Sequence, residues 1–552
     1  MLKTIKHIVL VAGAIVLAAS CGKNYLVTPP AGELSAEGFY NTPAHIESGV
    51  LGVYSKLQGV ENYQYLLFSE DRSDNVWVDS DPNGIRTCSE SSFFRINDAT
   101  GEISGLWAGW YSLIYNANTI LANLDAVEFT SDAVKNQFKG EVLFLRALAH
   151  FELVRAFGNV PIVDHVLSSA EAKENPQSSG DVVINTIVIP DLKEAESLLP
   201  LRKDMKSSSN ASISGSGRAD KLAAQALLGR VYMTLAGYPY NDASAKANAK
   251  SYLKTVVENG SAYFAPTIKD WKKMFLTDNV TANKYQIFAI QHTLSNGNQV
   301  TFESGVAIKH PDIVSDSYHS GSDMSPVYPE GTLKYEFEKE NDPRGLGFSY
   351  IDSYPEYAGT PAYSNRHCNF QYDGKVIDVL ESSINTKWCP TKPKLAEAGV
   401  TFDDSKMGSG TSSRNMWPLN FPILRYEDMM LLYAELLCED NSVAEAMALV
   451  NKIRNRAGIT PVPSSCTKEE GLKYVERERK LELYLEGVRW FDMVRHGNWK
   501  QITLDKYTSY DYDHKRTNVN VDNVKDGRYL LPIPKSEMAA VPGLYNQNKD
   551  YE

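Results

Sequence analysis

The stretch "SDAVKNQFKGEVLFLRALAHFELVRAFG", residues 131–158, constrains the fold of this chain more than any other. Its apolar residues recur three and four positions apart for about seven turns, a period that only an amphipathic helix sustains. Ser131 or Asp132 offers an N-cap, and Gly158 followed by Pro161 stops the helix. Trp107, Tyr111, Ile114, Leu121 and Leu124 carry the same spacing from Ile103 onward, so two long helices stand in sequence here. A third is predicted over 184–198, kinked or split at Pro190. A fourth runs from Arg218 to Leu235. It places Leu228, Gly229 and Tyr232 in the L-G-x-x-Y spacing of a tetratricopeptide first helix, with Gln225 where that motif has tryptophan.

Helix pairs return near the far end of the chain. "LRYEDMMLLYAELLCED" and "SVAEAMALVNKIRNRAG" are joined by so few residues that they should lie antiparallel. "ERERKLELYLEGVRWFDMVRHGNW" reads as one long amphipathic helix, with Leu483, Tyr484, Trp490, Phe491 and Val494 inward and its Glu and Arg outward. Glu486, Arg489 and Asp492 on it suggest catalysis, but salt-bridged helix positions at spacings of three and four are the better account. Between about 261 and 420 no helical period survives, and Gly, Pro, Asp and Tyr are scattered through stretches such as "SYIDSYPEYAGTPAYSNRHCNFQYDG". So long an irregular stretch in a compact domain is expected to be functional. The fold expected is mainly α, a scaffold of tetratricopeptide-like helix pairs carrying a large loop-rich insert with short strands.

The first residues read as an export signal. Lys3 and Lys6 precede an apolar run from Ile8 to Ala19, too short to span a bilayer, and small residues lead to Cys21. Ala19 and Ser20 before Cys21 resemble a bacterial lipobox, although Ala18 stands where leucine is usual. On that reading residues 1–20 are removed and Cys21 carries the lipid, which anchors the body to a membrane without a spanning helix.

With 552 residues, 43% of them hydrophobic, the chain can bury a large core. A formal net charge of −12 argues against nucleic acid as a partner, because phosphate binding needs a basic face. With Cys21 acylated, five cysteines remain. Cys368 with Cys389 is the pair to test first for a disulfide, and Cys438, in an apolar helical run, reads as a buried thiol.

No HExxH, Walker A loop or GxSxG elbow is present, and Gly215-Ser216-Gly217 is too short for a dinucleotide fingerprint. "DSDPNGIRTCSE" does place Asp79, Asp81, Asn83, Gly84 and Glu90 in the order of a calcium loop. Oxygen ligands at alternate positions could wrap a Ca2+ ion. Pro82, Arg86 and the absence of flanking helices favour a plain acidic turn.

Seven segments together resemble the SusD/RagB family of nutrient-binding outer-membrane lipoproteins of Bacteroidetes. They are "CGKNYLVTPP", "GEVLFLRALAHFELVRAFGNVPIV", "GRADKLAAQALLGRVYMTL", "FPILRYEDMMLLYAE", "VNKIRNRAGI", "LEGVRWFDMVRHG" and "RYLLPIPKSEMAAVPGLYNQNKDY", in the family's order. The resemblance implies a signal peptide (1–20), an N-terminal helical part (21–260), an irregular ligand-binding insert (261–420) and a C-terminal helical part (421–552). It also implies a non-catalytic, surface-exposed, lipid-anchored protein of the outer membrane. Such a protein captures glycans and delivers them to a SusC-like TonB-dependent transporter. A peptide ligand, or from another class a secreted glycoside hydrolase, are the alternatives. Glycan capture needs aromatic faces against the sugar ring, with polar groups fixing the hydroxyls. The resemblance places part of the ligand site at "SEDRSDNVWVDSDPNGIR", which supplies Asp74, Asn75, Trp77, Asn83 and Arg86. From the insert come Tyr363, Tyr372, Trp388 and Trp417. For each aromatic the competing expectation is burial in the core.

Overall fold

A computed structural model of the chain describes residues 39–78, 90–215, 217–276, 284–292, 327–351, 367–372, 374–380, 384–385, 387, 397, 420–508, 511–512 and 520–552. Helices α1 (Pro43–Glu61), α2 (Gly101–Leu124), α3 (Asp132–Phe157), α4 (Ile189–Leu198), α5 (Lys221–Ala236) and α6 (Ala245–Asn259) pack each against the next or a near neighbour. Helices α8 (Tyr426–Glu439), α9 (Val443–Ala457) and α10 (Lys468–Glu482) continue the array, with α8 lying against α6. The mainly helical scaffold is thus as the periodicity predicts. One contiguous core runs through it from Ile46 to Ile533.

Local chemistry sets the helix ends. Ser131 precedes α3, and Gly158, at φ 72°, closes it by donating its N–H to the Val154 carbonyl. Asp220 caps α5 by accepting from the Ala223 N–H, and Gly458 ends α9 in the left-handed conformation. Pro190 does not break the third predicted helix: residues 180–198 stay helical throughout, and a π segment, Ile184–Val188, leads directly into α4, where the proline occupies the first turn. The L-G-x-x-Y motif has a packing role. A Cβ on Gly229 would lie 2.8 Å from Leu253 Cδ2, so glycine lets α5 and α6 approach, while Tyr232 stacks on Tyr252 with centroids 5.9 Å apart.

Two expectations are corrected. The helix predicted through "ERERKLELYLEGVRWFDMVRHGNW" is two: α10 ends at Glu482 and α11 covers Arg489–Arg495. The break lies at Leu485 (φ 59°) and Gly487 (φ 67°). A Cβ on Gly487 would sit 2.4 Å from the Tyr65 carbonyl oxygen, so only glycine fits that crossing. Nor do the charges of this segment face water. Glu478, Arg479, Glu482, Glu486, Arg489 and Asp492 are all buried. The region 261–420, read as lacking helical period, holds α7 (Gly331–Glu338), capped by Glu330 accepting from Thr332 and Leu333. Cys438 is a buried free thiol and Cys466 a half-buried one. Cys21, Cys88 and Cys389, the last the partner predicted for Cys368, lie outside the described residues.

The strands are short. β1 (Val76–Val78) pairs antiparallel with β3 (Val327–Pro329), and β2 (Phe288–Ile290) with β8 (Phe421–Leu424). β4 (Tyr350–Ile351) pairs with β7 (Ile384–Asn385), which lies beside β3. β5 (His367–Tyr372) and β6 (Lys375–Leu380) form a hairpin whose outer partner is β9 (Asp511–Tyr512). Among the described helices none is long and apolar enough to cross a membrane.

Candidate functional site

The turn Ser69 to Asn75 occupies the place where the sequence reading puts part of a ligand site, and it is an interior clasp. Glu70 accepts from the N–H groups of Leu485 (2.8 Å) and Gly487 (3.2 Å) and from Asn75 Nδ2 (2.7 Å). Ser69 donates to the Gly487 carbonyl, and the Ser73 carbonyl accepts from Lys506. The Arg72 guanidinium lies over the rings of Trp490 (4.3 Å) and Phe94 (4.8 Å) and donates to the carbonyls of Arg528 and Tyr529. Burial away from any carboxylate lowers its pKa to about 10. Ser69, Glu70, Arg72 and Ser73 thus tie the N-terminal part of the chain to segments more than 400 residues later.

Asp74 belongs to this clasp. Its carboxylate accepts from Arg489 Nε and Nη2 (2.6 and 3.0 Å) and from Lys480 Nζ (2.9 Å). Burial alone would raise its pKa, but the two cations hold it well below the usual carboxylate range. Asn75 is fully buried against Glu70, and its carbonyl oxygen accepts from the Glu330 N–H at the start of α7. Trp77 is 1% exposed, paired through the strand with Tyr328. These three residues are therefore corrected from ligand contacts to framework: no ring face or polar head is left for a sugar.

Behind the clasp lies a buried ion-pair network. Arg344 is held by Asp342, Glu478 and Glu482, and Arg425 by Glu427, Glu482 and Glu486. Arg456 joins Glu427 to Glu482, and Lys387 reaches Glu486 at 2.7 Å. The three arginines around Glu482 hold its carboxyl well below the usual range, whereas burial pushes Glu70 up to about 7. Glu486, Arg489 and Asp492 are ion-paired as read, but mostly to distant elements rather than along one helix. Such a network fixes the ends of α10 and α11, and through Asp74 it fixes the start of β1.

The chain enters 79–89 from Val78, whose strand partner is Val327, and enters 352–366 from Ile351, whose partner is Ile384. Asn83, Arg86, Tyr363, Trp388 and Trp417 lie outside the described residues, as do Asp79 and Asp81 of the calcium pattern. Glu90 is described and half-buried. Among the described residues no group of three or more His, Cys, Asp or Glu side chains is arranged to hold a metal. Tyr372, on the β5–β6 hairpin, is half-buried. It meets Tyr335 of α7 edge to face at 5.0 Å, with Lys339 Nζ 4.5 Å above its ring and Glu336 on its hydroxyl. Sequence reasoning missed Tyr335 and Lys339, because "KYEFEK" gives no sign of the hairpin that covers it.

An open cleft of about 510 Å3 lies elsewhere, among Asn185, Pro190, Lys193, Tyr232 and Asn248. It has ligand size, but its one aromatic, Tyr232, is 5% exposed and stacked on Tyr252, so it offers no sugar platform.

A family model described as "SusD family" matches residues 239–551, and one described as "Starch-binding associating with outer membrane" matches 29–233. A SusD-like protein of Formosa agariphila is 24% identical over 509 residues, 86% of this chain and 88% of the relative. Among solved structures, a SusD homolog from Bacteroides thetaiotaomicron superposes with a TM-score of 0.74 at 22% identity, covering 94% of this chain and 99% of that one. A laminarin-binding SusD-like protein superposes with a TM-score of 0.65 at 23% identity, covering 93% and 100%.

Proposed function

The chain belongs to the SusD family, and from that premise we propose that it is a non-catalytic glycan-binding protein of the outer membrane. The observation that carries this is the pair of family matches, which between them span 29–233 and 239–551, the first being to a family described as starch-binding. The laminarin-binding relative of the same fold supports a glycan over a peptide as ligand. In this reading Cys21 carries the lipid anchor and a SusC-like TonB-dependent transporter receives the captured glycan. Ligand contacts come from 79–89 and the 261–420 insert, with Asn83, Arg86, Tyr363, Trp388 and Trp417 as the residues to test and Tyr372 beside them. The clasp and the ion-pair network do not touch ligand; they hold rigid the strand ends from which those segments leave, the support a binding constellation needs.

Affinity electrophoresis against a polysaccharide panel that includes laminarin and starch, run with a reducing-end assay, tests the proposal. Retardation without new reducing ends is expected. Cleavage, or migration unaltered by every glycan, refutes it. Replacing Trp388 or Tyr363 with alanine should weaken retention about tenfold, equivalent to about 1.4 kcal/mol.

A further inference from the structure

Helices α8 and α10 pack against each other and run antiparallel. At one end Arg456 bridges them, pairing with Glu427 in the first turn of α8 and with Glu482 at the last residue of α10. At the opposite end stand two thiols. Cys438 is the penultimate residue of α8 and fully buried, and Cys466 immediately precedes Thr467, the N-cap of α10. Lys468 joins the two helices here by donating its Nζ to the Glu439 carbonyl at 2.7 Å, so the chain beside one cysteine touches the chain beside the other.

Local geometry turns the thiols toward each other. Thr467 and Glu470 form a capping box, each side chain accepting from the other's N–H (3.2 and 2.8 Å). In this arrangement the residue before the cap packs on the residue at the fourth helical position. Those two positions are Cys466 and Gly471, and glycine offers no side chain to pack on. The space is filled from α8 instead: a Cβ on Gly471 would lie 3.0 Å from the Cys438 Sγ. Cys466 packs against the core cluster to which Cys438 belongs, and its thiol lies near enough to act electrostatically on that of Cys438.

Both cysteines are free thiols in this structure, and we propose that they are a disulfide site, closed when the protein meets a disulfide-exchanging oxidant. Its closure in cells rests on the export proposed above, because disulfides persist in oxidising compartments. Cys466, half-buried, reacts first. Its thiolate attacks the oxidant's disulfide, forms a mixed disulfide and releases one thiol of the oxidant. Cys438, whose thiol burial pushes up to about 11, then gives up its proton, attacks the Cys466 sulfur and expels the second thiol. Both electrons and both protons end on the oxidant. The bond encloses residues 439–465, which hold α9, and staples α8 to α10 at the end opposite the Arg456 bridge.

The full chain incubated with oxidised glutathione, alkylated without reduction and digested, tests this by peptide mass mapping. A peptide pair joining Cys438 to Cys466, lighter by two hydrogens than its parts, is expected. The oxidised chain should melt several degrees above the chain treated with dithiothreitol. Cys466→Ser, at a half-buried position, should abolish the pair and reduce that difference. Both cysteines recovered on separate alkylated peptides, either one linked to a different cysteine, or an undiminished melting difference in Cys466→Ser would each overturn the proposal. Alkylation of intact cells separates it from the export reading: a pair formed by the purified chain and absent from cells supports the site and counts against export.

Discussion

Replacing Asp74 with alanine separates the clasp from a ligand contact. In the native fold the Asp74 carboxylate sits between Arg489, whose side chain is 6% exposed, and Lys480 at 12%. Removing it leaves two cations in a low-dielectric setting. Breaking a buried pair in this way costs about 3–5 kcal/mol, because the surviving charge is desolvated and uncompensated. Arg489 keeps Glu476 at 2.9 Å, on a side chain 36% exposed, which offsets part of the loss and sets the expectation near about 3 kcal/mol. Chemical denaturation read by tryptophan fluorescence measures it as a lower midpoint with little change in slope. Glycan retention below the melting transition should be nearly unchanged. The double variant Asp74→Ala with Arg489→Met should be less destabilised than the sum of its single changes, since the orphaned charge goes with its partner. A loss below about 1 kcal/mol, the range of solvated pairs, combined with lost glycan retention, would refute the assignment and return Asp74 to the ligand site.

Trp77→Ala should cost about 3–5 kcal/mol, as for other buried aromatics cut to alanine, and any loss of glycan retention should track the unfolded fraction in the same sample. Gly487→Ala should destabilise by roughly 2 kcal/mol or more, because alanine is strained at positive φ and its Cβ would strike the Tyr65 backbone; a thermal melt unchanged within error would contradict this. Stability should also respond to pH from two sides. Glu70 has a folded pKa near 7, above the 4.5 of an ordinary glutamate, so its contribution is intact below about 4.5 and is lost as pH rises through 7. His150 has a folded pKa near 4, below 6.5, so its contribution is intact above about 6.5 and lost as pH falls toward 4. Each group carries roughly 3 kcal/mol at full effect by linkage, and Glu70→Gln should flatten the fall between pH 5 and 8 in denaturation curves.

The parts of this fold that were legible in the sequence are those written in local chemistry. Gly158 ends α3 through a contact within a few residues, as read, and the L-G-x-x-Y spacing marks a close helix approach that Gly229 makes possible. What was not legible depends on partners far along the chain. Trp77 beside Asp74 and Asn75 reads as an exposed loop aromatic, yet it is 1% exposed, on a strand paired with β3, some 250 residues later. The charges of 476–495 read as a wet helix face because periodicity assigns every polar residue to solvent. Glu478, Arg479, Glu482, Glu486, Arg489 and Asp492 are buried, and Asp74, Lys387, Arg344 and Arg425 arrive from elsewhere to meet several of them.

This distribution of charge has a functional logic. A protein that binds polymers at one face needs that face to present variable segments without losing its framework. A core of aliphatic residues alone would tolerate sliding of one packed element past another, whereas an arginine bonded to two or three carboxylates on different elements has one satisfied arrangement. Arg344, Arg425 and Arg489 each bridge α10 or the α10–α11 turn to a segment that leads toward the insert or β1. Desolvation makes such bridges poor sources of net stability, so their value here is geometric. On the proposed reading, these bridges keep the strand ends at Val78 and Ile351 in place for the ligand segments that follow them in the chain.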